Sequence, residues 1–171
     1  MSIVNEARNV RSGTPSVFIS GSISIRRLPS PILERLGRVI DREMPVLIGD
    51  APGVDTAVQQ YLADRQAWNG TIFCSGSAPR HNIGGWPIRI VRADAPTGTR
   101  TWHMAKDREM ARLADIGLVI WDGSSAGSFA NIERLSNRGC YVLVYLCPDG
   151  RFLPLRCGAD RAAFLASQRP G

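Results

Sequence analysis

Residues 116–138, IGLVIWDGSSAGSFANIERLSNR, decide the fold. IGLVIW (116–121) is continuously apolar, without polar alternation, and so reads as a strand buried on both faces. DGSSAGS (122–128) carries two glycines and three serines in seven residues, more than a simple connection needs. A helix then runs through Arg138, with Ile132 and Leu135 at helical spacing. Strand, small-residue turn and helix together are the unit of a parallel α/β sheet.

The same unit recurs on either side. Upstream, SVFIS (16–20) is a short strand opening at Gly21-Ser22, and Ser30-Pro31 reads as an N-cap followed by proline at the first helical position. Behind it Ile32, Leu33, Leu36, Val39 and Ile40 recur at helical spacing up to about Glu43. PVLIGD (45–50) is a second strand, and the turn DAPGVD leads into a helix with Val54, Ala57, Val58, Tyr61 and Leu62 on one face. TIFCS (71–75) is a third strand, followed by a long polar loop and the short extended piece IRIV (88–91). Trp102 to Ala114 is helical in pattern, and CYVLVYL (140–146) is the last main strand. The expectation is one Rossmann-like domain over residues 16–147, a parallel sheet of about five main strands covered by helices on both faces. Residues 1–15 read as a flexible segment, and 148–171 as a weakly patterned tail with a short helix around 160–166.

Composition narrows the function. The 171 residues suffice for one sizeable core, and glycines and prolines punctuate hydrophobic runs, which excludes disorder and collagen-like repeats. No apolar stretch approaches the roughly 20 residues of a membrane span, and the first residues lack the apolar centre of a signal peptide, so a cytoplasmic protein without a membrane partner is expected. Cys74, Cys140, Cys147 and Cys157 form no CxxC and read as reduced, buried thiols; neither a metal nor a cofactor is expected. The net charge is +6, and every basic residue except Lys106 is arginine. These arginines are dispersed along the chain without a basic run interleaved with aromatics, which argues against a nucleic-acid partner.

Right-handed crossovers place all strand-to-helix loops at the carboxyl edge of the sheet, where ligands of such folds bind. Four loops there carry candidate ligand-binding residues. Gly21 and Ser22 allow close backbone approach and offer a hydroxyl, although a plain turn explains them equally. Gly49, Asp50, Ala51, Gly53, Val54 and Asp55 leave a helix start uncovered for an anion, with Asp50 able to accept from a ribose and Asp55 able simply to satisfy first-turn amides. In PRHNIGGW (79–86), Arg80 could pair with a phosphate and Trp86 could cover a base or fill a seam. Asp122, Gly123, Ser124, Ser125, Gly127 and Ser128 form the strongest anion-binding concavity. Lys106, near a helix start, could reach a sugar or phosphate.

Taken in order, VFISGSISI, VLIGDAPGVDTAV and DREMARLADIGLVIWDGSSAGSFANI resemble the SLOG superfamily of Rossmann-like proteins. That group includes the DNA-processing protein DprA, the LOG phosphoribohydrolases and the small YpsA/YspA-like proteins, and the last branch looks most similar. The LOG enzymes cleave the N-glycosidic bond of nucleoside monophosphates, using an Arg-Lys pair before an E-M-A segment and a glycine loop ending in glutamate. On that pattern Glu109-Met110-Ala111 is the shared segment, and Lys106 and Asp107 stand where the Arg-Lys pair would. Gly127-Ser128 replaces the Gly-Thr of the loop, and the essential glutamate falls on Asn131, which the resemblance places among the ligand-binding candidates. An amide cannot stabilise a cationic sugar or activate water. Glu133, two positions on, lies about 200° around the helix.

The resemblance therefore implies binding of a nucleotide-derived, phosphorylated small molecule (an ADP-ribose-like or nucleoside phosphate molecule), as in a sensor. The alternative is a phosphoribohydrolase or deoxyribosyltransferase-like enzyme with Lys106, Asp122 and Glu133 as candidate catalytic groups. A third reading, DNA binding through the arginines as in DprA, lacks the basic patch it needs. A homodimer or larger homo-oligomer is expected by analogy.

Overall fold

The computed structural model describes residues 13–168; of the expected flexible segment, residues 1–12 lie outside the described residues. The elements follow one another as β1 (Val17–Gly21), α1 (Ser30–Asp41), β2 (Val46–Gly49), α2 (Val54–Asp64), β3 (Gly70–Cys74), β4 (Ile88–Ile90), α3 (Arg100–Leu113), β5 (Ile116–Trp121), α4 (Ala126–Asn137), β6 (Tyr141–Leu146), β7 (Arg151–Leu155) and α5 (Gly158–Ser167). One sheet holds the strands in the order β4-β3-β2-β1-β5-β6-β7. All neighbours are parallel except β6 and β7.

Strand order reverses between β1 and β5, because the chain first winds outward through β2, β3 and β4 and then returns to the other side of β1. At such a switch point neighbouring crossovers leave in opposite directions, and a crevice opens beyond the carboxyl ends of the two strands. Gly21 pairs with Ile120 there, so the loops after β1 and β5 are direct neighbours.

The period-2 geometry of a strand sends alternate residues into two cores. Val17, Ile19, Ile48, Leu118 and Ile120 pack on the side of α1 and α2, with Ile32, Leu36, Val54 and Val58. Phe18, Phe73, Val119, Trp121, Val142 and Val144 pack on the other side, with Met110 of α3, Leu135 of α4 and Phe164 of α5. Each such side chain removed from water contributes about 1.5–3 kcal/mol, which is why polar alternation is absent from the central strands.

Three expectations are corrected. The N-cap of α1 is Pro29, with no side-chain cap bond, and the helix ends at Asp41 before a left-handed Glu43. The tail carries a seventh strand: RFLPL forms antiparallel β7, and Pro154 is tolerated because an edge strand can spare one N–H. Of the four thiols, Cys74 and Cys140 are buried, but Cys147 is half-buried and Cys157 exposed.

Candidate functional site

Beyond the β1/β5 switch point lies a cleft of about 350 Å³. Its walls come from the end of β1 and the loop after it, the loop after β2, the first turn of α2, the start and middle of α3 and the first turn of α4. In that first turn the helix leaves N–H groups without partners four residues back. Gly127 keeps the turn uncovered: a Cβ at this position would meet nothing within 4 Å. The hydroxyls of Ser125 and Ser128 stand beside it, 2.8 Å apart, and both reach the Ser22 hydroxyl, at 3.0 and 3.3 Å.

Asp122 plays a different part from the one expected of it. Its Oδ1 accepts the N–H groups of Ser124 (2.9 Å) and Ser125 (2.7 Å), and its Oδ2 accepts the Ser24 hydroxyl (2.7 Å). Partial burial pulls its pKa upward, but these donors overcome that and hold it at about 2. Asp122 thus ties its own loop together, outside the cleft lining, and uses two of the amides expected to serve an anion. Gly123 and Ser124 lie outside the lining as well, exposed on the loop.

The floor of the cleft is charged. Lys106, in the middle of α3 and 4% exposed, places its Nζ 2.9 Å from Asp107 Oδ1 and 4.0 Å from Asp55 Oδ2. Burial lifts the Asp55 carboxyl to about 6 against the pull of Lys106, with Asp107 adding repulsion. Burial opposes the charge on Lys106 too, yet Asp107 and Asp55 keep its pKa above the ordinary lysine value. Asp55 Oδ2 also accepts the Ala51 N–H at 3.1 Å.

Asn131 joins this group from α4. Its Nδ2 donates to Ser20 Oγ (2.9 Å) and Asp107 Oδ2 (3.2 Å), and its Oδ1 accepts from Arg134 Nη1 (2.8 Å). The amide of Asn131 is therefore an orienting group for the carboxylate of Asp107.

Several expected binding residues serve the fold instead. Gly53, at φ +81°, sits 2.5 Å (ideal Cβ) from the Ile23 backbone, so only glycine fits this N-cap of α2. A side chain at Gly49 would strike Asp55 Oδ2 and Lys106 Nζ, and one at Gly21 would strike the Ile120 carbonyl and Val54. Val54 itself is core. Arg80 is not free for a phosphate: Nη2 and Nε grip Asp50 Oδ1 and Oδ2 at 3.0 and 3.3 Å. Burial works against the Asp50 charge, but this pairing holds its pKa below the ordinary value. Trp86 fills a seam, donating Nε1–H to the Ala67 carbonyl at 2.8 Å. Glu133 lies half-buried on α4, outside the cleft. Of the expected ligand residues, Gly21, Ala51, Asp55, Lys106, Ser125, Gly127, Ser128 and Asn131 line the cleft together; Ser22 lies just behind it.

Sequence reasoning missed Ile23 and Arg100 as lining residues and gave Asp107 no role in binding. The signal for Asp107 was its position next to Lys106 on a helix whose buried face carries Met110 and Ala111.

No family model and no curated protein matches the chain. In structure the chain is similar to DNA processing protein A from Helicobacter pylori, which is described for its single-stranded DNA binding mode. The likeness has a TM-score of 0.58 at 16% identity and covers 92% of this chain and 75% of that one. The fold is DprA-like. With it the expectation against a nucleic-acid partner is withdrawn, since a protein of this same DprA-like fold is described as binding single-stranded DNA. Arginines dispersed along the chain can be gathered on one face by folding, so the lack of a consecutive basic run does not speak against such a partner. Among the described residues, no helix is long and apolar enough to cross a membrane.

Proposed function

We propose that the cleft at the β1/β5 switch point binds a nucleotide-derived, phosphorylated ligand. The phosphate occupies the first turn of α4, on the amides around Gly127 with the Ser125 and Ser128 hydroxyls. The ribose hydroxyls donate to Asp107 and Asp55, and Arg100 closes the rim over the phosphate. One observation carries this reading: an uncovered helix start and the buried Asp55–Lys106 pair with its neighbour Asp107 face the same cleft. Amides and hydroxyls suit the phosphate, while carboxylates suit the hydroxyls of a sugar. The amide of Asn131, where hydrolysis would call for a carboxylate, favours a binding or sensing role over glycosidic cleavage.

A thermal-shift panel of nucleoside mono- and diphosphates, ADP-ribose and a short single-stranded oligonucleotide tests it. A ligand at 100 times its dissociation constant stabilises the fold by about 2.7 kcal/mol. Gly127→Val, which fills the uncovered turn, abolishes the response while the melting temperature of the free protein holds. An unchanged response in that variant sinks the assignment.

A second reading is favoured by the Asp107 carboxylate that Asn131 orients. In an N-glycosidase this group, unlike the distant Glu133, could stabilise a cationic sugar. Free base released from a nucleoside monophosphate and lost in Asp107→Asn supports that enzyme; intact nucleotide supports binding alone.

A further inference from the structure

The amino edge of the sheet carries a second, separate feature. A slot of about 160 Å³ lies between α1 and the uncovered starts of β5 and β6. Its floor is apolar, made by Val17, Val39, Leu118 and Leu143. Tyr141, first residue of β6 and 36% exposed, stands at its wall. Arg35, Arg38 and Arg42 edge it. Offsets of three, four and seven residues put Arg35 and Arg38 of α1 and the C-capping Arg42 on one side.

The three guanidiniums have no carboxylate to neutralise them among the described residues. Among the described residues none makes an ion pair: Asp41 turns to Arg65, at 3.9 Å, and Glu34 and Glu43 pair with none of the three. Arg35 lies over the Phe152 ring, 5.2 Å from its centroid, whereas Arg38 and Arg42 are exposed. A row of unpaired guanidiniums beside an apolar slot with an aromatic wall matches a chain that alternates phosphates with flat bases.

We infer that this slot takes one unstacked base of a single-stranded nucleic acid, with its flanking phosphates on Arg35, Arg38 and Arg42 and the base against Tyr141. A duplex hides its base faces and cannot enter the slot. A second copy of this chain would bring three more arginines against these three, a like-charge contact that opposes association. The inference does not rest on the reading of the cleft at the other edge.

Fluorescence anisotropy of the full chain with a labelled oligothymidylate, over a salt series, tests it. Three phosphates on a single strand give a slope of log affinity against log salt of about −2. Arg38→Glu with Arg42→Glu lowers affinity at least about tenfold at low salt and flattens the slope toward about −0.7. Tyr141→Ala weakens binding about tenfold with the slope unchanged, because stacking releases no counterions. The mononucleotide response of the other cleft persists in the double arginine variant, and a chain blocked there by Gly127→Val still binds the oligonucleotide. Undiminished binding by the double arginine variant overturns the inference, as does loss of binding in Gly127→Val, which would move the strand to the carboxyl edge. A concentration-dependent dimer that the double variant dissolves also overturns it, by giving the slot to a second copy. Should the double glutamate variant fold poorly, Arg38→Gln with Arg42→Gln reports the same loss with less repulsion.

Discussion

At the carboxyl edge of the sheet, Lys106 sits between two carboxylates and Arg80 is gripped by Asp50. At the amino edge, Arg35, Arg38 and Arg42 line an apolar slot, and among the described residues no carboxylate is in ion-pair reach of them. The two edges use charge in opposite ways. Inside the cleft, charge is desolvated and fixed by partners before any ligand arrives, so little reorganisation accompanies binding. On the slot, the charges of Arg38 and Arg42 are exposed to solvent, and salt screens them. A net charge of +6 describes neither edge.

Breaking the buried group should have the largest effect. Lys106→Met leaves Asp55 and Asp107 facing each other without a cation, and removing one partner of a buried pair costs about 3–5 kcal/mol. Urea unfolding at pH 8 should show that loss. At pH 5 it should be smaller, because Asp55 takes up a proton near 6 and relieves the repulsion. A variant as stable as the parent at pH 8 would mean that solvent already screens the group.

Asp55 sharpens the comparison through pH. Its folded pKa of about 6 lies above the ordinary 3.8, so the folded chain holds a proton that the unfolded chain has released between those values. Stability attributable to Asp55 is therefore fully present below 3.8, declines as pH rises to about 6 and then levels off. Over the whole window the loss amounts to about 3 kcal/mol. Asp50 and Asp122, held below the ordinary value, act with the opposite sign and at lower pH. The difference between the parent and Asp55→Asn, followed by chemical unfolding from pH 4 to 7, isolates the Asp55 contribution. Parallel curves would show that Asp55 stays solvated.

The smallest effect belongs to the amino edge. Arg38→Gln removes an unpaired, exposed charge and should change stability by no more than about 0.5 kcal/mol. Any gain from relieved repulsion fades as salt is added. A large loss, measured by the same unfolding experiment, would show that Arg38 supports the fold rather than standing free.

Much of the architecture was legible in the residues. IGLVIW and CYVLVYL lack polar alternation because both their faces are covered, and the small residues of 122–128 mark a turn beyond a strand end. RFLPL escaped notice because Pro154 speaks against a strand, and only its place at an antiparallel edge makes it acceptable. In the cleft, Ser125, Gly127 and Ser128 could be picked out from composition, but the purposes of Gly49 and Gly53 could not. Their space is taken by Asp55, Lys106 and Ile23, residues brought to them by packing.

The linear order of apolar runs and small-residue turns was enough to determine a Rossmann-like chain with its special loops at one edge, because strand burial and crossover handedness are local consequences of that order. Which charges meet was decided only by the tertiary structure. Hydrogen bonds and ion pairs act over a few ångströms, and residues as far apart in the chain as Asp55, Lys106 and Asn131 come within that range only once the sheet has assembled.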